Sequence, residues 1–427
     1  MKLGLEFARE LDASDQLKDF RNQFHLPKQK NGDDEIYLCG NSLGLQPKRA
    51  SEILNEEMDK WAKVGVKGHF EGERPWMPFH KFLLSGLAGV VGASEEEVVA
   101  MNSLTANLHF MMVSFYNPTK ERHKILIEEH AFPSDHFAVE SQIKYHGFDP
   151  SESMILLKPD EGEETISKER IISTIKEHGD SLALVMLPGV QYYTGQVFDM
   201  KTITEVSHSV GAYAGFDLAH AVGNISLELS NWNVDFAVWC HYKYLNSGPG
   251  AVGGCFVNRK HAQNPNIPRF AGWWGHNQET RFKMENKFDP MPTAEGWQLS
   301  NPPIASLSCI KASLEIFEKA GGMKNLREKA EKQFSYMDFL LGEMLGNRIE
   351  VITPKDPSER GCQHSIKVNL SGVDGKKIFD EIEARGVTCD WRYPNVIRVA
   401  AAPLYNSFED IYKFVNILDE VTREALS

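Results

Sequence analysis

Between about residue 98 and residue 258, short apolar runs alternate with longer amphipathic stretches. VVAMN, KILIEE, MILLK, LALVML, AYAGFD and DFAVWC are nearly continuous in their apolar character, and stretches of helical period separate them. Strands that lack an in–out alternation are buried on both faces. The pattern therefore predicts an α/β fold, a mostly parallel sheet covered by helices. GGCFVN (253–258) follows a Gly-rich turn too short to hold a crossover helix and is expected to pair antiparallel. Upstream, residues 1–100 read as mainly helical, with HFEGERPWMPFH (69–80) as a Pro- and aromatic-rich loop. Downstream, two long helical periods and the runs IEVIT, SIKVNL and VIRVA predict a second, smaller α/β unit. The expected division is an N-terminal segment with a large domain over 1–305 and a small C-terminal domain over 306–427.

Composition narrows the function classes. A chain of 427 residues that is 42% hydrophobic and 25% charged falls among folded proteins, not disordered ones. The net charge of −13, with no basic stripe, argues against a nucleic-acid partner. No stretch approaches the roughly 20 apolar residues of a membrane span, so no membrane partner is expected. The opening MKLGLEFARELDASDQLKDF carries acids early and no apolar core, which predicts an amphipathic helix and not a signal peptide. Six scattered cysteines without a C-x-x-C pair suggest reduced thiols and a cytoplasmic location. Fifteen histidines show no metal-ligand spacing, so no metal site is expected.

Ligands of open parallel sheets sit at the carboxyl ends of the strands, which makes the residues just after each run informative. VVAMN is followed by Ser103-Leu104-Thr105 opening a helix, and KILIEE by Phe132-Pro133-Ser134-Asp135 at another helix start. AYAGF ends in Asp217 with His220 three residues on; DFAVWC leads into Tyr242 and Lys243. Taken singly these are ordinary: a capping Asp, a surface Lys, a core Phe, a buried His. Together they match the needs of pyridoxal phosphate. Free N–H groups at a helix start suit its phosphate, an aromatic its ring, a carboxylate its pyridine nitrogen and a lysine amine its aldehyde. Gly248 to Gly253 also fits G-x-G-x-x-G, but a strand follows where a dinucleotide site needs a helix. Those glycines are expected to let the backbone pass close to the lysine.

FDLAHAVGN (216–224) followed by WCHYKYLNSGPG (239–250) resembles the kynureninase signature within the class V, fold-type-I pyridoxal-phosphate enzymes. YLCGNSLG (37–44), FPSDHFA (132–138), GVQYYTGQ (189–196), GWWGH (272–276), RFKM (281–284), SNPPI (300–304) and IRVAAAPLYNS (397–407) resemble further blocks of that family, so the likeness spans nearly the whole chain. The resemblance implies hydrolytic Cβ–Cγ cleavage of kynurenine or 3-hydroxykynurenine to an anthranilate and alanine. It implies Lys243 as the Schiff-base lysine and proton carrier, Asp217 against the pyridinium, and His220 beside the cofactor. Phe132 would stack on the ring with Asp135 supporting it, Pro133 and Ser134 would also bind the cofactor, and Leu104, Thr105 and Tyr242 would hold the phosphate, Tyr242 also serving as a proton relay. Arg398 would clamp the substrate carboxylate. Trp273 and Asn301 would reach the cofactor from the neighbouring subunit of a homodimer. His69, Ser300 and Asn301 would meet the substrate's aromatic ring and favour the 3-hydroxylated form. Pro188 departs from the hydroxyl residue expected at its position. Other class V chemistry, that of a cysteine desulfurase or an aminotransferase, stays open: a desulfurase needs a reactive cysteine, and Cys362 in SERGCQHS is the candidate. A dehydrogenase reading of the glycine run and a non-catalytic binding protein on the same fold are further alternatives.

Overall fold

The computed structural model describes residues 1–426. Strand β1 is Ile36–Tyr37. Strands β2 to β8 are Val98–Ala100, Lys124–Glu128, Met154–Leu157, Leu182–Pro188, Tyr213–Asp217, Phe236–Cys240 and Gly253–Val257. Strands β9 to β13 are Ile349–Val351, Gln363–Val368, Val387–Thr388, Asp390–Arg392 and Val396–Ala400.

β2 to β8 form a seven-stranded sheet in the order β2-β8-β7-β6-β5-β3-β4. The pairs from β7 through β4 are parallel. β8 runs antiparallel to both β7 and β2, as its short connection requires. β5 is buried along its length up to Pro188, and β7 throughout, which matches their unbroken apolar runs. Helices Leu104–Phe115, Pro133–Tyr145 and Lys168–Glu177 supply the crossovers and cover the sheet.

A second hydrophobic core surrounds the antiparallel sheet β12-β13-β10-β9 and helices Gly375–Ala384 and Phe408–Glu424. It also takes Ala8 and Ile36 from the N-terminal segment, and β1 pairs parallel with β11. Helix Ile304–Lys319 instead packs in the core of the large sheet through Leu307, Ile310 and Leu314. The boundary expected at 305/306 falls within the first turn of that helix.

The carboxyl ends of β3, β5, β6 and β7 converge on one edge, and the loop from Cys240 to Gly253 crosses it carrying Lys243. The N-terminal block YLCGNSLG docks on this loop: Gly44 N donates to Tyr242 O at 2.8 Å. A Cβ on Gly44 would strike Lys243 O and Asn246, so only glycine fits there. The glycine run does other work than expected. Gly248 and Gly250 hold left-handed φ of 89° and 68° in open space, as turn residues. Gly254 leaves room for the Trp239 indole, and Gly253 opens β8, which rules the dinucleotide motif out here.

Candidate active site

At this edge lies a cavity of about 240 Å³. It is lined by Leu104, Thr105, Phe132, Ser134, Asp135, Pro188, Asp217, His220, Tyr242, Lys243 and Arg398 from among the expected residues. Asn41, Ser42, Glu128, Tyr192 and Arg392 also line it. Pro133 stands at the first turn of helix Pro133–Tyr145, beside the cavity and not on its wall.

Two helix starts face the cavity, and their hydroxyls touch: Thr105 Oγ1 lies 2.7 Å from Ser134 Oγ. Ser103 precedes the first helix without making a side-chain cap, which leaves the N–H groups of its first turn to be satisfied from the cavity. That is an anion site by construction.

Asp217 ends β6, buried, and its Oδ1 accepts the Ala219 N–H at 2.7 Å. Burial pushes its carboxyl up. Asp135 hydrogen-bonds to Asp217 and is pushed well above the carboxylate range, by burial first and then by the Asp217 charge. Two buried carboxyls in contact share a proton, because two like charges at that range cost several kcal/mol. Asp135 therefore keeps the proton and donates it in a hydrogen bond to Asp217.

Lys243 Nζ lies 3.0 Å from His220 Nε2. Burial, and then the Lys243 charge, pull His220 well below its ordinary value, so the ring is neutral and Nε2 accepts from the ammonium. His220 Nδ1 is buried without a partner. Burial pushes the Tyr242 phenol up, which keeps it a proton donor at neutral pH.

Opposite the acids, Arg398 is 1% exposed and sits against Asp390, its register partner across β12 and β13. Arg398 Nη1 also donates to Tyr192 O. Arg392 Nη2 donates to the same Asp390 oxygen at 3.0 Å. Two guanidiniums against one carboxylate leave a net positive charge facing the cavity. The Nε atoms of both arginines are buried and unpartnered.

Four expected residues lie elsewhere on this chain. Trp273 is 44% exposed, packs edge-on against Phe282 and donates Nε1–H to Arg281 O at 3.1 Å. Ser300 and Asn301 are exposed. His69 is half-buried, with Nδ1 3.0 Å from Val66 O and its ring edge-on to Trp76. None of them lines the cavity. Cys362 is fully buried beside Tyr244, its thiol pushed up to about 11 by burial, far from the exposed, activated cysteine a desulfurase needs.

The residues fit pyridoxal phosphate. Orphaned polar atoms of Glu128, Asp135 and His220 belong to residues lining a cavity that the Lys243 amine and two helix starts also line. Phe132, 49% exposed, lines the cavity and packs edge-on with Tyr192, ring centroids 5.4 Å apart.

The fold is that of the fold-type-I pyridoxal-phosphate enzymes. A cysteine desulfurase of Escherichia coli matches with a TM-score of 0.75 at 14% identity, covering 96% of this chain and 99% of that one. A cysteine desulfurase of Thermococcus onnurineus matches at 0.74 and 16% identity, covering 91% and 95%. Closer in sequence are kynureninases. That of Koribacter versatilis is 51% identical over 96% of both chains. Those of Myxococcus xanthus and Flavobacterium psychrophilum are 50% and 52% identical, over 98% and 97% of this chain and 97% of each relative. Residues 326–418 match the family model of the kynureninase C-terminal domain. The chain belongs to the kynureninase family, hydrolases of a carbon–carbon bond that use pyridoxal phosphate.

Proposed function

We propose that the protein hydrolyses the Cβ–Cγ bond of L-kynurenine and 3-hydroxy-L-kynurenine, releasing anthranilate or 3-hydroxyanthranilate and L-alanine, in tryptophan degradation and NAD biosynthesis. The observation that carries this reading is the convergence of Lys243, Asp217 and two open helix starts on one cavity, in a chain half identical to kynureninases from end to end.

Bound pyridoxal phosphate supplies an electron-poor ring that accepts the electron pairs released as substrate bonds break. Lys243 would hold its aldehyde, and the lysine amine would take the proton from the substrate Cα. Neutral His220 accepts a hydrogen bond from that amine and orients it. Asp217 would pair with the ring nitrogen, with Asp135 donating a hydrogen bond to it. Leu104, Thr105 and Ser134 would hold the phosphate, joined by Tyr242, whose phenol stays protonated and would relay protons between the lysine, water and the phosphate. Phe132 would cover the ring, and Pro188 would contribute only surface. Arg398 binds the substrate carboxylate, fixed in place by Asp390.

Trp273, Asn301, Ser300 and His69 lie outside the cavity of their own chain, which fits a homodimer in which each copy completes the other's site. In that arrangement Trp273 and Asn301 reach the cofactor, and His69, Ser300 and Asn301 meet the aromatic ring of the substrate and favour its 3-hydroxylated form. Among the described residues no helix is long and apolar enough to cross a membrane. All six cysteines are free thiols, which supports a reducing, cytoplasmic setting.

The test is turnover of both kynurenines by the yellow enzyme, read by anthranilate fluorescence, with cysteine offered in parallel. Anthranilate without sulfide is the expected result; sulfide without anthranilate would move the protein to the desulfurases.

A further inference from the structure

Glu128, the last residue of β3, is 3% exposed, lines the cavity and has no part in the roles given above. Its surroundings fix where a proton on it must sit. Gln191 Oε1 accepts the N–H groups of Tyr193 and Thr194 at 2.6 and 2.7 Å, so the Gln191 amide points its NH₂ the other way. That NH₂ donates to Glu128 Oε1 at 3.1 Å and to His130 O at 3.2 Å. Oε1 is thus an acceptor, and Oε2 is left buried with no partner. An orphaned carboxylate oxygen is costly to bury, whereas a protonated one becomes a donor.

The groups around it are mostly acids. Asp135, from helix Pro133–Tyr145, feels the Glu128 charge and itself has an orphaned oxygen, Oδ1. Tyr192, in the loop after β5, also feels it. Asp217 and Lys243 lie beyond Asp135 and couple to it. The neighbouring Glu129 pairs with Lys158 at 2.6 Å, and the His130 side chain is 67% exposed. Among the described residues no cation therefore pairs with Glu128 directly, and burial pushes its carboxyl up to about 7.

We propose that Glu128 is a positioning residue that carries an exchangeable proton on Oε2 and, through Asp135, sets the charge that Asp217 presents to the cofactor's ring nitrogen. The inference rests on the reading that Asp217 faces that nitrogen. With the proton on, the three carboxyls share one negative charge. With it off, a second charge tightens the hold of Asp135 on its proton and deepens the negative potential at the ring nitrogen.

The probe is pyridoxine 5′-phosphate, which lacks the aldehyde and so binds without the lysine bond. Its dissociation constant from the apoprotein is measured by calorimetry between pH 6 and 8 for wild type and Glu128→Gln. In the ratio of the two constants the titrations of the ligand itself cancel. That ratio, variant over wild type, is expected to rise about fivefold across the interval, a coupling of ordinary size between linked sites. A ratio independent of pH would overturn the role of Glu128 while leaving the cofactor site intact; failure of wild type to bind the probe at all would overturn both. Should the variant not fold, difference infrared spectroscopy of the wild-type apoprotein answers the same question. A buried protonated carboxyl band that fades near pH 7 is expected, and no such band contradicts the proposal.

Discussion

The two ends of the cavity solve one problem in opposite ways. At one end Glu128, Asp135 and Asp217 crowd together and keep their charge down by retaining protons. At the other, Arg392 and Arg398 are held by a single carboxylate, Asp390, and keep an uncancelled positive charge. A guanidinium does not lose its proton in a protein. The basic end is therefore a fixed charge suited to binding an anion, whereas the acidic end can exchange protons during a reaction. Chemistry belongs at the end that titrates, recognition at the end that does not.

Substitutions on the two sides should separate accordingly. Lys243→Ala removes the cation that acts on Asp135 and Asp217 and, among the described residues, the one lysine that lines the cavity. Turnover should fall by about 10⁴-fold, the upper range for a positioned proton carrier, measured as anthranilate release in single-turnover assays. Asp217→Ala comes next, with a loss of roughly 10³-fold in kcat, the size of a lost electrostatic stabiliser. Its thermal midpoint should shift little, because a buried acid whose carboxyl is pushed up contributes no charge stabilisation. Unchanged turnover in that variant would remove the electron-sink assignment.

At the basic end Arg398→Gln should raise KM by about 30-fold, one charged hydrogen-bonding pair, with kcat within a few-fold of wild type. An equal drop in kcat would mean that this end also takes part in bond breaking. The smallest effect is expected away from both ends. Cys362→Ala should keep turnover within about twofold, since its thiol is buried and not activated. A loss beyond tenfold, with the fold intact by circular dichroism, would reopen desulfurase-type chemistry.

Much of this was legible in the chain because strand ends are where α/β sheets act. Lys243, Asp217, Thr105 and Phe132 each follow an apolar run and converge once the parallel order is formed. Glu128 also ends a strand, yet in KILIEEH it reads as one of two surface acids. Only the fold sends Glu129 to Lys158 and turns Glu128 inward against Gln191. Asp390 and Arg392 were hidden for a similar reason. Their tie to Arg398 is a register between two strands, and register leaves no trace in so short a run as Asp390–Arg392. The pairing of Ile36–Tyr37 with Val387–Thr388 joins distant segments through two-residue strands that carry no periodic signal. Trp273, His69, Ser300 and Asn301 came from family resemblance alone. Nothing in the local chemistry of a half-exposed indole or an exposed serine marks it for the role proposed above.

The most direct measurement is borohydride reduction of the yellow enzyme followed by peptide mapping. The pyridoxyl mass is expected on the peptide containing Lys243 and on no other, with the visible absorbance lost in step. An unmodified Lys243, or the label on a different lysine, would contradict the account.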